Sequence, residues 1–343
     1  MKPSIYVFDP TQKDKLSKVR GIGRYLQVLR ENFNHEFIFT SSLESIPSNS
    51  VFINPFFNLL LKPIIFKKKF KYQIAVIHDL IPLKYPQYFP IGIKGNLNVM
   101  LNKYALKNYD LIITDSNQSK KDITTMLNIQ DNKVKVIYPV LSNSFTNERT
   151  ESSKPEDIDI DNYFLYVGDA TWNKNLCNLA KAIKQADVTC VFVGKVFVDS
   201  LQKELKHPWQ KELKEFLKLA ENDSRFIFPG YVSNSKLITY YKKAKANILI
   251  SKDEGFGLSY IEASSQNCPS LLSDIAVFHE IAQNSAFFAN PDSYEDIAEK
   301  LKIINSNPAL IENIKDKAKN RIKFFSQEKF KTEYLKAINI HEI

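Results

Sequence analysis

The stretch Ile250–Ala263, ISKDEGFGLSYIEA, brings two carboxylates and a Gly-x-Gly turn together at a strand-to-helix junction. The apolar run ends near Ser251, Gly255 and Gly257 fit a tight turn, and a helix is predicted from near Leu258. Free N–H groups at a helix start, aided by the helix dipole, favour an anion, so this turn suits a phosphate. Glycines let such a ligand approach the backbone closely. Glu254 falls at the carboxyl end of the predicted strand, where ligands of open α/β sheets bind. Glu262 lies further along, inside the helix, where a carboxylate could accept both hydroxyls of a ribose diol. The same spacing also fits a plain strand–turn–helix with two solvent-facing acids, because Gly-x-Gly alone is a weak signal. His78, in Ile77–Pro82 (IHDLIP), ends another predicted strand and reads as a ligand contact or a structural imidazole. Asp79 beside it either orients the ring or caps a turn, and the turn is the favoured reading. Gly21 and Gly23 open a helix after the first predicted strand. They form a plain turn or an open floor for an acceptor or a diphosphate.

The elements that must position these residues are legible as apolar runs. In the first half they are Ser4–Phe8, Glu36–Thr40, Val51–Asn54, Gln73–His78, Leu111–Thr114 and Lys133–Tyr138. In the second they are Tyr163–Gly168, Val188–Gly194, Arg225–Pro229, Ala246–Ser251, Pro269–Ser273 and Ala286–Ala289. Near-continuous apolar runs of this length are what buried parallel strands require. Amphipathic stretches such as Gly23–Phe33, Leu97–Lys107, Asn178–Gln185 and Ile297–Asn305 lie between them. The alternation predicts an α/β fold with parallel sheets. Ser142–Asp161 is polar, acidic and without apolar periodicity, a linker composition. Two doubly wound domains facing a cleft follow, over residues 1–150 and from 151 onward.

A chain of 343 residues accommodates two domains. With 44% hydrophobic and 25% charged residues it is neither disordered nor fibrous. Three cysteines without CxxC spacing argue against a disulfide framework or a cysteine zinc site. The start MKPSIYVFDP has no apolar core of a secretory leader, and no apolar run is long enough to span a bilayer. Residues 1–150 carry 21 Lys+Arg against 11 Asp+Glu, and residues 151–343 carry 26 against 27, so the excess of +10 sits in the first half. A basic half points to an anionic partner: nucleic acid, a membrane surface or a phosphorylated substrate. No recognition helix or RNA-binding pattern accompanies it, and no nucleic acid is expected.

Several ordered motifs together resemble the retaining glycosyltransferases of family 4, which have the GT-B fold. The resemblance rests on Glu254 and Glu262 with Gly255-Phe256-Gly257-Leu258 between them. It extends to Gly21-Ile22-Gly23-Arg24-Tyr25, Ile77-His78-Asp79-Leu80-Ile81-Pro82 and Asp115-Ser116-Asn117-Gln118-Ser119-Lys120. Tyr166-Val167-Gly168 with Lys174-Asn175-Leu176, and Gly230-Tyr231-Val232, continue it through the second half. It implies transfer of a hexose from a nucleotide diphosphate sugar with retained configuration. Glu254 and His78 would contact the donor sugar and Glu262 the ribose. Lys174 and the backbone of Phe256, Gly257 and Leu258 would hold the diphosphate, with Gly21 and Gly23 lining the site. Positive charge and N–H donors there answer the charge that develops on the leaving diphosphate.

The resemblance further implies an acceptor-binding first domain and a nucleotide-sugar-binding second domain, 151–324. The C-terminal helix, 325–343, would return to the first domain. The mannosyltransferase-like branch that builds bacterial surface polysaccharides is the nearest match, so GDP-mannose is the expected donor and no metal is expected. Asp157-Ile158-Asp159-Ile160-Asp161 has an Asp-x-Asp form that suits a hard cation, but it lies in linker composition ahead of a strand. Asp169 and Asn173 stand where the family often has Arg, Ser259 where it has Pro, and Asn267 where it has Gly. Ser259 is expected to cap the helix instead. Residues 56–72, FFNLLLKPIIFKKKFKY, set apolar groups beside Lys67, Lys68, Lys69 and Lys71. That composition suits an anionic membrane surface or a lipid-linked acceptor, and a cytoplasmic location with peripheral membrane contact is expected. The rival readings are a same-fold epimerase or phosphorylase, a catalytically dead binding subunit, or a non-enzymatic nucleic-acid- or membrane-binding protein using the basic half.

Overall fold

The computed structural model describes residues 3–12, 21–146, 158–201 and 204–339. Two units emerge, one made of residues 1–86, 90–143 and 325–343, the other of residues 87–89 and 144–324.

In the first unit the strands are β1 (Ile5–Phe8), β2 (Phe37–Thr40), β3 (Val51–Asn54), β4 (Tyr72–Val76), β5 (Leu111–Thr114) and β6 (Val134–Val136). They form one sheet in the order β2-β1-β3-β4-β5-β6, with every pairing parallel. The helices are α1 (Gly21–Phe33), α2 (Ile81–Lys84), α3 (Gly92–Leu106), α4 (Asn117–Leu127) and, at the junction with the second unit, α5 (Asn143–Thr146). Phe52, Ala75, Ile77, Leu106, Ile112 and Ile123 share one buried cluster. The C-terminal helix Gln327–Asn339 completes this unit. Its Phe330 and Tyr334 rings lie 6.0 and 5.4 Å from Phe33, and the Tyr334 hydroxyl meets that of Tyr25 at 3.0 Å. The return of the chain's last helix to the first domain is therefore present.

The second unit repeats the plan with β7 (Tyr163–Val167), β8 (Thr189–Val193), β9 (Phe226–Gly230), β10 (Asn247–Leu249), β11 (Ser270–Ser273) and β12 (Phe287–Ala289). The order is β12-β11-β10-β7-β8-β9, again parallel throughout. Helices α6 (Leu176–Ala186), α7 (Lys195–Leu201), α8 (Lys211–Ala220), α9 (Asn234–Lys243), α10 (Leu258–Ser265), α11 (Ala276–Ala282), α12 (Tyr294–Ser306) and α13 (Pro308–Arg321) connect the strands or cover them. Tyr163–Val167 reads YFLYV with no polar alternation, as a strand covered on both faces requires. Phe164, Leu179, Ile183, Phe192, Ile248 and Ile297 are fully buried, each worth about 1.5–3 kcal/mol of transfer free energy. A Cβ on Gly194 would stand 2.4 Å from the Gly168 carbonyl oxygen, so the ends of β7 and β8 approach too closely for any side chain there.

Each sheet has a switch point, where successive strands stop adding on one side and start on the other. In the second unit it lies between β7 and β10. In the first it lies between β1 and β3. Ligands of open α/β sheets bind outside the carboxyl ends of strands at such points. All twelve strands among the described residues fall on the apolar runs of the sequence, and the doubly wound α/β class stands. Asp157 of the Asp-x-Asp segment and residues 147–157 of the linker lie outside the described residues.

Candidate active site

In the second unit two loops leave the switch point, one after β7 and one after β10. The first makes a 3-10 turn, Trp172–Lys174, and enters α6 through Asn175 in the left-handed conformation (φ +59°). The second runs from Ile250 to Gly257 and enters α10. They are laced together. The Lys252 N–H donates to the Asn173 carbonyl at 2.7 Å, and the Asn173 side-chain amide donates to the Asp253 carbonyl at 3.0 Å. Asn173, at one of the positions where the resemblance called for Arg, is thus a buried brace between the loops. Asp169, at the other, accepts from the Ala170 N–H at 2.8 Å and shapes its own turn.

This lacing brings Lys174 onto Glu254. The Lys174 Nζ lies 2.5 Å from Glu254 Oε1, and the same oxygen accepts the Ser251 hydroxyl at 2.7 Å. The two side chains are only 19% and 9% exposed, so the pair is largely withdrawn from water. Glu254 is therefore not the solvent-facing acid of the plain reading. Tyr166 sits beneath, and burial, with the Glu254 charge next, pushes its phenol well above the ordinary range. Gly257 closes the turn at φ +97°, and a Cβ there would meet Phe278 Cε1 at 2.7 Å. Both conformation and space require glycine at that helix start. The first N–H groups of α10 receive no side-chain cap, since the cap residue is this glycine. Ser259, expected to cap, does not. It lies inside the first turn, and its buried hydroxyl has no hydrogen-bond partner.

Glu262 is buried one turn into α10 and accepts the Tyr241 hydroxyl at 2.9 Å. Asn267 stands at φ +57°, the left-handed conformation that Gly usually supplies and Asn tolerates, so this departure costs the fold little.

The first unit holds His78. It follows β4, and its ring lies between two acceptors, Nδ1 at 2.7 Å from Asp115 Oδ2 and Nε2 at 3.2 Å from the Pro55 carbonyl. Tyr25 meets the ring edge-on at 4.8 Å. Burial lowers the affinity of His78 for a proton, but Asp115, by charge and hydrogen bond, outweighs it and leaves the pKa raised. With an acceptor against each nitrogen, both contacts favour the protonated ring. The Ser-x-x-Ser motif now has a reason. Ser116 caps α4 by accepting the Ser119 N–H at 3.0 Å, and the Ser119 hydroxyl donates to the His78 carbonyl at 3.0 Å. Asp79 accepts the Ile81 N–H at 3.0 Å and shapes the turn. The residue that orients the imidazole is Asp115, which the sequence reading quoted in its motif without giving it a role. Gly21 begins α1 and Gly23 lies in its first turn.

The basic segment divides. Phe57, Leu59, Ile65 and Phe70 are core. Lys67, Lys68, Lys69 and Lys71 are exposed, with Lys68 paired to Asp110 and Lys69 donating to the Leu43 carbonyl at 3.2 Å. Phe57 and Leu59 are therefore unavailable to a membrane surface, while Leu61 stays exposed. Among the described residues one His/Cys/Asp/Glu group has metal-ligand proximity, Cys177 with Glu212 and Glu215. Burial, with Glu212 next, pushes that thiol up to about 12. Among the described residues no helix is long and apolar enough to cross a membrane.

Comparison with known proteins bears on the family and the fold. A family model described as "Glycosyl transferases group 1" matches residues 147–321. The O-antigen chain mannosyltransferase RfbU of Salmonella typhimurium is 30% identical over 239 residues, 70% of this chain and 62% of that protein. The serotype-specific mannosyltransferase WbdA of Escherichia coli is 27% identical over 247 residues, 66% of this chain and 29% of that protein. The chain thus spans less than two thirds of the curated relatives it matches first. Among solved structures, Anabaena HepE in complex with UDP and glucose superimposes with a TM-score of 0.71 at 13% identity, over 98% of this chain and 100% of that one. A glycosyltransferase from Rickettsia africae gives 0.64 at 16% identity over 98% of both. These likenesses bear on the fold alone, which is GT-B. With half of its length under one family model and both sheets in the expected order, the chain belongs to the group 1 glycosyl transferases.

Proposed function

We propose that the chain is a retaining hexosyltransferase that moves mannose from GDP-mannose to a saccharide or lipid-linked acceptor during assembly of a bacterial surface polysaccharide. The observation that carries this is the withdrawn Lys174–Glu254 pair beside the glycine-closed start of α10, at the switch point of the second unit. The diphosphate takes Lys174 and the turn backbone of Phe256, Gly257 and Leu258 as its partners. Lys174 supplies a compact charge where the leaving diphosphate gains its own. Glu254, released from Lys174, contacts the donor sugar, and Glu262 holds the ribose. The second domain takes the donor. The first takes the acceptor and offers His78 as a cationic donor, with Gly21 and Gly23 at the start of α1. Lysine and backbone amides do the work that a metal does in other transferases, so none is needed. The acceptor is met at the cytoplasmic face of the membrane. The choice of mannose follows the names of the relatives, RfbU and WbdA.

The test is donor hydrolysis and transfer over a panel of GDP- and UDP-sugars, each with and without EDTA. GDP-mannose turnover that survives chelation is expected. Preference for a UDP-sugar would overturn the donor, and loss of activity in EDTA restored by Mn or Mg would overturn the metal-free reading. Turnover of no donor at all would remove the transferase reading for this chain.

A further inference from the structure

Helix α3 faces the wrong way for a helix that only covers a sheet. Its buried residues are Gly95, Asn98, Asn102, Ala105 and Leu106. Leu106 is the one large apolar residue among them, and four others point outward instead, Ile93 at 92% exposure, Leu97 at 51%, Met100 at 62% and Tyr104 at 54%. At about 100° per residue these four fall within about 60° of arc, nearly opposite the buried side. Lys94 flanks the stripe on one edge and Lys103 and Lys107 on the other, all exposed.

The loop before the helix extends the same surface. The Asn98 and Asn102 amides donate to the carbonyls of Leu60 and Leu61 at 2.8 and 2.7 Å, and Asn108 donates to that of Phe66 at 3.1 Å. Polar side chains on the inner half of α3 therefore pin this loop along it. Leu61, Ile64 and Phe66 stay exposed, and Phe66 stacks on Tyr104 at 5.1 Å. On its other flank α3 helps wall an apolar cavity of about 440 Å³, with Leu83, Pro86, Ile91, Val99, Met126 and Leu127 among its lining.

Charge decides what this face meets. Residues 56–110 hold nine lysines and two acids, Asp79 and Asp110, with Asp110 paired to Lys68 and Lys84 paired to Asp122, and α3 itself holds no acid. An apolar stripe rimmed by lysines with no acids among them is complementary to anionic headgroups over acyl chains. We propose that α3 and the 61–66 loop form a membrane-docking face that lies in an anionic bilayer surface, with Ile93, Leu97, Met100, Tyr104, Leu61 and Phe66 inserted and the flanking lysines at the phosphates. The proposal deepens the proposed function by naming the surface that brings the first domain to its acceptor, and rests on that reading only for the acceptor's location. It moves membrane contact from the lysine run Lys67–Lys71 to the helix that follows.

The experiment is sedimentation of the full chain with vesicles of phosphatidylcholine alone or of phosphatidylcholine mixed with anionic phosphatidylglycerol. Wild type should bind the anionic vesicles and not the neutral ones, with binding that falls as salt rises. Ile93→Ser/Leu97→Ser/Met100→Ser should bind at least about ten times more weakly. Because these side chains are already in water, its melting temperature and its donor hydrolysis in solution should match wild type. A Lys94→Gln/Lys103→Gln/Lys107→Gln variant should lose the preference for anionic lipid. Equal binding by wild type and the serine variant would overturn the proposal. So would a wild type that ignores vesicles but forms dimers that the serine variant does not, since the face would then meet a second copy. Donor hydrolysis read on the same samples separates failure of the docking face from failure of the transferase reading.

Discussion

Glu254→Gln, Lys174→Met and the double variant form a cycle whose stability and activity arms should diverge. The pair lies at 2.5 Å with side chains 19% and 9% exposed. At an effective dielectric of about 20, two unit charges about 4 Å apart attract by about 4 kcal/mol, and their desolvation offsets much of that. Removing one partner leaves the other charge buried, which costs about 3–5 kcal/mol in a fully dry site. Lys174 keeps a fifth of its exposure, and Gln can still accept from Ser251, so about 2–3 kcal/mol is the expected loss for Glu254→Gln. For a domain of this size that lowers the melting temperature by about 4–12 °C. The double variant removes both charges and should lose less than the sum of the two single variants, a coupling of about 1–2 kcal/mol. Activity should not recover. Each single change should cut transfer by about 10²–10³, and the double variant should be no faster than the slower single one. The assays are calorimetric melts and initial rates of sugar transfer on the same preparations. Wild-type turnover in Glu254→Gln, or additive melting shifts, would refute the reasoning.

Glu262→Ala should raise the donor KM more than it lowers kcat, since a ribose contact is made in ground and transition states alike, and should cost about 1–3 kcal/mol by stranding the buried Tyr241 hydroxyl. A Glu262→Ala and Tyr241→Phe pair should regain the stability without the affinity, and parallel recovery of both in titrations of the nucleotide would contradict the ribose role. The His78 pKa is raised in the folded chain, so its contribution to stability is full below about pH 6.5 and fades as pH rises through the folded value. Asp115→Asn should bring the His78 ring titration, read by NMR, down in pH and flatten the fall of melting temperature as pH rises above about 6.5; an unmoved titration would show that Asp115 does not hold the proton.

The strands were legible because buried parallel strands are written as short apolar runs, and Gln73–His78 or Val188–Gly194 admit little else. The pairings were not, because they depend on register. His78 meets Asp115 because β4 and β5 align Val76 with Ile113, and the same offset carried two residues on brings ring to carboxylate. Nothing local to either residue states that offset. Tyr241 on Glu262 escaped notice for the same reason, since it comes from α9, a separate helix. Helix α3 shows a different limit. Its 3.6-residue periodicity was visible from Leu97 onward, but periodicity marks two faces without saying which is inside. Here Asn98 and Asn102 face the core because they bond the carbonyls of the 59–61 loop, with Gly95, Ala105 and Leu106 beside them, while Ile93, Leu97, Met100 and Tyr104 face out.

The C-terminal helix carries a consequence for the order in which the protein comes into being. Tyr25 holds the edge of the His78 ring and is itself held by Tyr334, which lies far along the chain. Between residue 143, where the first unit breaks off, and residue 325, where it resumes, the ribosome must make the whole of the second unit. At about 5–20 residues per second that interval is roughly 10–40 seconds. During it Phe33 and Tyr25 have no Phe330 or Tyr334 to cover them. The second unit can close while the first waits with an open apolar seam. His78 gains its final surroundings only after Tyr334 has been made, so a nascent chain stopped before residue 325 carries the Lys174–Glu254 site without the completed surroundings of His78.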